Sequence, residues 1–585
     1  MTAEHDPAAE QDLAADVLDA LLREDFAGLS GRVDPSGPSG PVLHLPGHPA
    51  LPLEPDGFLA DLKLLRPVSL TLADVDTTLR DLADPADQDG VHAFAQECRQ
   101  ALAARQLRQR EIPRLRRPRA RRGLDGQLAY DALAAAQPHP AYPTAAARLG
   151  FTDADALAYA PEYRPEFALH WVAVPRAALT RAGGLPPWWP RPSDVGLPAA
   201  LDPAHELLPV HPLTARRALS QALAGAGLPA ARLIAPGTHL KVTPTLSTRT
   251  VAVQSQPSIH LKLPLPTSTL GLLNRRSIVP GTLPDGALVR SVVAQAVQAG
   301  TVPGSAGAGL LLADESHYTH AGHPYLGYLM RRLPAGLDRC HVVPIAALLA
   351  ALPASGPGSA LVIEDLARQH GDGTLAGLFG AYLDLLFGIH VDLFVRYGIA
   401  LESHQQNAAL VLDPDGPDDP LRLLVKDFDG ALLHHPRLAA ALPGAPEPVR
   451  FADTRLLTGS DDALADVFIT ITVHLCAGAL AFGLARRGRA GLPDLLALIR
   501  RSLTRALDRY PGHPAAGLLR ARVLTADRLP GKAMLTAGTL MTKARSGASD
   551  INKFYGTSGP NYLKPPARSP GLGGPISMAS REVRP

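Results

Sequence analysis

Two stretches of this sequence gather side chains suited to phosphate and metal chemistry. The first is TPTLSTRTVAVQSQPSIHLKLPLP, residues 243–266. It reads as two alternating, β-branched runs, 243–254 and 259–265, around a Ser-Gln-Pro-Ser turn. Pairing Gln254 with Ile259 sets Arg249 opposite Pro264, with Lys262 diagonal to it on the face that Thr245 and Ser247 share. Thr269, Arg275 and Arg276 follow within reach of the hairpin's end. Such a surface suits a polyphosphate, since arginine makes bidentate contacts, lysine supplies a point charge and hydroxyls fill the remaining oxygens. Like charges paired across strands destabilise a sheet unless an anion or carboxylate lies between them.

The second stretch joins LESHQQNAALVL (401–412) to LRLLVKDFDG (421–430) through the turn-rich DPDGPDDP. If extended, Glu402, His404 and Gln406 share one face, and closing the hairpin brings Lys426 and Asp427 beside Gln406 and Asn407. A carboxylate from each arm plus an amide oxygen is hard ligation suited to Mg²⁺ with bound phosphate. The imidazole of His404 would hold a phosphate oxygen or a substrate carboxylate. Burying Glu402 and His404 without partners would cost several kcal/mol, which favours a functional role over a polar hairpin edge.

Around these motifs the elements read as follows. Residues 11–29 form an amphipathic helix and 34–55 a Pro/Gly-rich loop; the basic run 105–122 is a solvated face without aromatic stacking platforms. Short strands bounded by prolines begin near Phe151, helical patterns dominate from Gly356, and the residues from Arg545 onward are expected to be extended or mobile. The apolar run 467–485 contains Thr470, Thr472 and His474, polar groups costly in lipid, so it reads as a buried core helix.

Composition narrows the function further. The 585 residues carry a formal net charge of +2, which argues against nucleic-acid wrapping. Eight of the 57 basic residues are lysines, so each lysine is informative, and Lys532, just after Pro530-Gly531, is a candidate pocket cation. Three widely spaced cysteines give no disulfide framework or zinc ribbon. No GxxxxGK[ST] or GxGxxG loop is present, so any phosphate site is neither a P-loop nor a Rossmann turn. With an acidic N-terminus lacking an apolar core, the expectation is a cytoplasmic protein with no membrane and no nucleic-acid partner.

In this order the two constellations resemble the NRPS-independent siderophore (NIS) synthetases, the IucA/IucC or aerobactin-synthetase family. A further segment, from His139-Pro to Arg148-Leu-Gly150-Phe151, is similar to the family pattern HPxHPxxKxRxGF, departing from it at Tyr142 and Ala146. Leu208-Pro-Val-His211-Pro, Ser247-Thr-Arg249-Thr, His260-Leu-Lys262-Leu and Lys426-Asp427-Phe-Asp-Gly430 also look like family signatures, so the resemblance covers about 139–430. It implies an α+β fold shaped as a multi-lobed cupped hand. Residues 1–150 would be a helical thumb and 151–345 β-rich fingers with antiparallel sheets and the ATP hairpin. The remainder, 346–585, would be a helix-rich palm with the magnesium hairpin and a flexible tail.

The same resemblance implies ATP-dependent adenylation of a polycarboxylic acid, citrate or a citrate or α-ketoglutarate derivative, and its condensation with an amine or alcohol, with AMP and pyrophosphate released. Carried over by position, Ser247, Arg249, Lys262, Thr269 and Arg275 would hold the triphosphate. His404 and Gln406 would lie between ATP and the acid, and Glu402, Asn407 and Asp427 around Mg²⁺. His139 and Arg148 would border the same pocket as substrate-binding residues, with Lys532, which no family motif covers, added as the candidate cation there. Arg249, Lys262, Arg275 and His404 would be the catalytic set, and a homodimer is also implied. Two other readings fit the second constellation or the two departures: a small-molecule kinase, and a family member that binds a carboxylate without activating it.

Overall fold

The computed structural model describes residues 6–37, 40–112, 122–228, 233–299, 309–352, 359–416, 418–548 and 550–565. Most of the basic run after Ile112 and the chain beyond Pro565 lie outside the described residues.

The N-terminal part is built on α1 (Pro7–Arg23), α2 (Leu72–Leu82) and α3 (Gln88–Glu111). Asp6 caps α1 by accepting the Ala8 and Ala9 amides, Pro7 stands at its first turn, and Leu13, Val17, Leu18 and Leu21 form its buried stripe. The helix ends at Arg23 and not at Leu29, because Asp25 and Ala27 take left-handed backbone angles. The stretch expected to be loop holds strands instead. Val33–Asp34, Val42–Leu43, Leu51–Pro55 and Leu62–Leu64 make a small antiparallel sheet, with Pro52 and Pro55 in its inner strand Leu51–Pro55. A further helix, α4 (Gly123–Ala135), leads into the His139 segment.

Twelve strands in two sheets frame the centre. They are β1 (Phe167–Pro175), β2 (Thr180–Ala182), β3 (His205–Val210), β4 (His239–Pro244), β5 (Thr250–Val253) and β6 (Gln256–Lys262). They continue with β7 (Leu310–Leu312), β8 (Asp314–His323), β9 (Leu326–Arg332), β10 (His341–Pro344), β11 (Ala408–Leu412) and β12 (Arg422–Val425). The larger sheet runs β2-β8-β9-β6-β5-β4-β1-β3, antiparallel throughout. Trp171, Trp189 and Tyr328 pack on one face of it. The smaller sheet runs β7-β12-β11-β10, and only its β7–β12 pair is parallel.

The C-terminal half is helical, with α5 (Leu375–Asp392) against α7 (Leu492–Asp508) and the long α6 (Asp461–Arg486). By length and composition two helices, Leu375–Tyr397 and Asp461–Arg486, could cross a membrane, but 78% and 94% of their apolar windows are buried within the fold. The polar groups of α6 find partners there: Thr470 donates to the Asp466 carbonyl, while His474 contacts Tyr562 Oη at 2.9 Å and the Pro530 carbonyl at 3.0 Å. The segment after Arg545 is not simply extended. Thr557–Pro560 pairs with Arg528–Gly531, and the backbone hydrogen bonds of that ladder order it.

A mixed helix-and-sheet fold with antiparallel sheets, read from the sequence, is therefore what the chain adopts.

Candidate active site

The first motif forms a three-stranded meander rather than one hairpin. Residues 243–254 divide into β4 and β5, which pair with each other through Thr243 and Ala252. Thr248 is left-handed at φ 63°, and the Thr245 amide donates to the Thr250 carbonyl at 2.9 Å, closing the connection. Ser247 and Arg249 thus sit on a tight turn, not on a strand face. A register irregularity between Gln256 and His260 moves the pairing by one residue, so Lys262 faces Thr250 and the Leu263 amide reaches the Arg249 carbonyl.

The turn still delivers the cations to one place. Arg249 donates to the Ser277 carbonyl at 2.8 Å, and Ser247 Oγ accepts from Thr250 Oγ1 at 3.1 Å. Thr269 Oγ1 accepts from Arg276 Nε at 2.5 Å. Arg275 is exposed, whereas Arg276 is half-buried, and burial next to Arg249 pulls its pKa down to about 9. Arg276 was not among the residues assigned a role from sequence, and adjacent arginines carry no signal of which turns inward.

The second motif keeps its expected pairing: Ala408 faces Val425, and the Lys426 amide donates to the Asn407 carbonyl at 3.0 Å. The approach to it is a turn and not an extended strand, since the His404 carbonyl accepts from the amides of Asn407 and Ala408. Asp427 takes a left-handed angle, φ 66°, and its amide donates to Glu315 Oε1 at 2.9 Å. Glu315 also holds Arg331, and both are buried. Neither had a sequence signal, because Glu315 is one of many polar residues in β8 and Arg331 stands beside a second arginine at the end of β9.

Lys262, 5% exposed, bonds Asp427 at 2.5 Å and Asp429 at 3.1 Å, while Arg331 stands 3.6 Å from Asp427. Burial opposes ionisation of Asp427, but Lys262, Arg331 and Arg249 outweigh it and hold the carboxyl well below its usual range. Glu402 responds differently: burial raises its pKa, and Lys532, 3.9 Å away, offsets part of that. A Cβ on Gly430 would fall 1.9 Å from Glu402 Oε2, so the Asp-Phe-Asp-Gly turn needs glycine for this close approach.

Both histidines of the site are neutral at physiological pH. Burial, with Lys532 nearby, pushes His404 down to about 3 and His139 to about 4. His139 Nδ1 accepts from the Ala141 and Tyr142 amides, both at 3.1 Å, which leaves its proton on Nε2. Arg148 is held by Glu162 through two bonds of 2.8 and 2.7 Å. Tyr142, where the family pattern has histidine, is buried and donates to Glu97, which also accepts from Thr144 and Thr539. It ties α3 to the motif and to the C-terminal segment.

All thirteen residues singled out from the sequence line one cavity of about 680 Å³. Arg276, Asp429, Glu315 and Lys553 line it too. Among the described residues no group of three or more His, Cys, Asp or Glu is gathered closely enough to hold a metal. The donors on this wall, Glu402, Asn407, Asp427 and Asp429, are nonetheless hard oxygens that suit Mg²⁺ when phosphate oxygens complete its shell.

Residues 128–350 match the family described as IucA / IucC. Over that span the chain is similar to the IucA/IucC family. Residues 378–547 match a second description, ferric iron reductase FhuF-like transporter. A rhizobactin siderophore biosynthesis protein, RhbC of Rhizobium meliloti, is 27% identical over 404 residues, 63% of this chain and 64% of that protein. An uncharacterized protein of Sinorhizobium fredii, y4xN, is 26% identical over 372 residues, 56% and 58% of the two chains. The matched region thus spans less than two thirds of either relative.

In fold, the chain is similar to the petrobactin biosynthesis protein AsbB of Bacillus anthracis, with TM-score 0.74, 15% identity and 95% and 96% of the two chains covered. It is also similar to ATP-bound aerobactin synthetase IucA of Klebsiella pneumoniae, with TM-score 0.69, 18% identity and 95% and 100% covered.

Proposed function

We propose that the chain is a siderophore-assembling ligase that uses ATP and Mg²⁺ to activate a polycarboxylic acid, citrate or a citrate or α-ketoglutarate derivative, as its acyl-adenylate. Attack by an amine or alcohol then gives an amide or ester, with pyrophosphate lost in the first step and AMP in the second. The observation that carries this reading is the convergence of two oppositely charged sets on one cavity: Ser247, Arg249, Lys262 and Arg276 with Glu402, Asp427 and Asp429. The family match over 128–350 and the ATP-bound state of the IucA neighbour support it.

In this reading Ser247, Arg249, Lys262, Thr269 and Arg275 or Arg276 bind the triphosphate. Negative charge builds on pyrophosphate as it leaves, and fixed guanidinium and ammonium groups in a water-poor cavity stabilise that charge without reorganising. Bound Mg²⁺, held by Glu402, Asn407 and Asp427, would neutralise phosphate charge. The acid attacks as its carboxylate and needs no general base. Neutral His139 offers an N–H to that carboxylate, and His404 and Gln406 fill the boundary between the two reactants. Arg148 and Lys532 complete the pocket for the anionic acid.

The test is pyrophosphate release with ATP, Mg²⁺ and a panel of di- and tricarboxylic acids, with hydroxylamine trapping of the acyl-adenylate. Arg249→Ala and His404→Ala are each expected to lower hydroxamate formation by about 100-fold or more, as for loss of a cation or of a neutral hydrogen-bonding group that contacts the transition state. Carboxylate-dependent ADP formation would instead support the kinase reading. Binding of an acid without pyrophosphate release would support the non-catalytic one.

A further inference from the structure

A second hollow of about 630 Å³ adjoins the first, and the two share the walls at Ala135, Gln137, Pro138, His139, Ala145 and Arg148. Its far side is lined by Arg105 and Arg108 of α3, by Asp12 of α1, and by Ala146. The charges there do not balance. Arg105 pairs with Asp16 at 3.0 Å, and Arg148 pairs with Glu162. Half-buried Arg108 donates to the Ala135 carbonyl at 3.2 Å and is drawn electrostatically toward Glu162, a carboxylate already bound by Arg148, but makes no ion pair of its own among the described residues. Asp12, the remaining carboxylate on the wall, is exposed. One guanidinium fork is therefore left facing an open hollow, and its planar donors match a carboxylate.

On the ligase reading, nucleotide and acid fill the first cavity, and the acceptor needs its own approach to the activated carbonyl. The hollow meets that cavity at His139 and Arg148. Ala146 stands where the family pattern has lysine, which leaves room in the hollow and removes a cation that would compete with Arg108.

We propose that this hollow receives the acceptor and that Arg108 grips a carboxylate on it, so the nucleophile is an amine or alcohol that carries its own carboxyl group. This rests on the ligase reading above. In the transfer the acceptor's nitrogen or oxygen lone pair forms the bond to the acyl carbon. The bond from that carbon to the phosphate oxygen breaks, its electron pair leaves with AMP, and the acceptor's proton is lost to solvent.

The test compares acceptors that differ only in the carboxylate: L-lysine with cadaverine, L-ornithine with putrescine, and L-serine with ethanolamine, each with citrate, ATP and Mg²⁺. The carboxylated member of at least one pair should be favoured by roughly tenfold or more in kcat/KM, the worth of one charge-assisted contact. Arg108→Met should bring that ratio close to one, the decarboxylated member serving as the internal control for folding. Ala146→Phe, which fills part of the hollow and leaves the Arg108 guanidinium in place, should slow both members by about tenfold or more. Equal use of both members in every pair, an unchanged ratio in Arg108→Met, or an unaffected Ala146→Phe overturns the proposal. If no acid supports pyrophosphate release, the ligase reading fails by itself. Calorimetric titration with L-lysine and cadaverine then decides this one: saturable binding of L-lysine that Arg108→Met abolishes supports it, and absence of such binding overturns it.

Discussion

Replacing Lys262 by methionine tests how the cavity is held together before any ligand arrives. The lysine's side chain is 6% exposed and bridges Asp427, 23% exposed, and Asp429, 52% exposed. The Asp429 arm is screened by solvent and is worth under about 1 kcal/mol. Removing one partner of a buried pair costs about 3–5 kcal/mol, but Arg331 remains 3.6 Å from Asp427 and offsets part of that. The net expectation is a loss of about 2–4 kcal/mol. For a lobe unfolding as a unit of about 200 residues this lowers the thermal midpoint by roughly 4–12 °C.

The double variant Lys262→Met/Asp427→Asn should regain most of the midpoint, because the stranded charge goes with its partner and asparagine tolerates the left-handed angle at 427. Adenylation should stay at least about 100-fold down in both. The same pair sets an acid limit. The folded pKa of Asp427 lies below its unfolded value of about 3.9, so its contribution is fully present above that value and is lost as pH falls toward the folded pKa. A single variant melting within about 1 °C of the wild type, or a double variant no more stable than the single, would refute this reasoning.

Two further outcomes follow from burial elsewhere. His139, His211, His390, His404 and His474 are all pushed below 6.5 to about 3 or 4, chiefly by desolvation. The unfolded chain therefore takes up protons below pH 6.5 that the folded chain refuses, and stability falls as pH drops from about 6.5 to 4.5, by about 1.4 kcal/mol per group per pH unit. A thermal midpoint flat between pH 7.5 and 5 would contradict it. Tyr142→Phe should cost about 1 kcal/mol in urea denaturation while hydroxamate formation stays close to wild type, since Glu97 keeps its bonds from Thr144 and Thr539.

The chemistry of the site was more legible than its local geometry. Types, spacing and the family resemblance led to residues that line one cavity, and the Asn407–Lys426 register follows from closing the turn-rich connection between the apolar runs of β11 and β12. The split of 243–254 into two strands was hidden because it depends on a left-handed Thr248, a residue that β propensity assigns to a strand interior. The small sheet before α2 was hidden by its prolines and glycines. Glu315 and Arg331 were hidden because a buried ion pair between neighbouring strands leaves no periodic trace. Tyr142 looked like a damaged motif, and only its contact with Glu97 reveals a packing role.

The partners of His474 lie 56 and 88 residues further along the chain. At roughly 5–20 residues per second of synthesis, the most apolar helix of the protein leaves the ribosome about 4–18 s before the tyrosine that completes its hydrogen bonds exists. Throughout that interval α6 is a greasy segment with a bare imidazole, open to chaperones and to other nascent copies. Slowing translation between His474 and Tyr562 is therefore expected to lower the yield of folded protein even where the stability of the finished fold is unchanged.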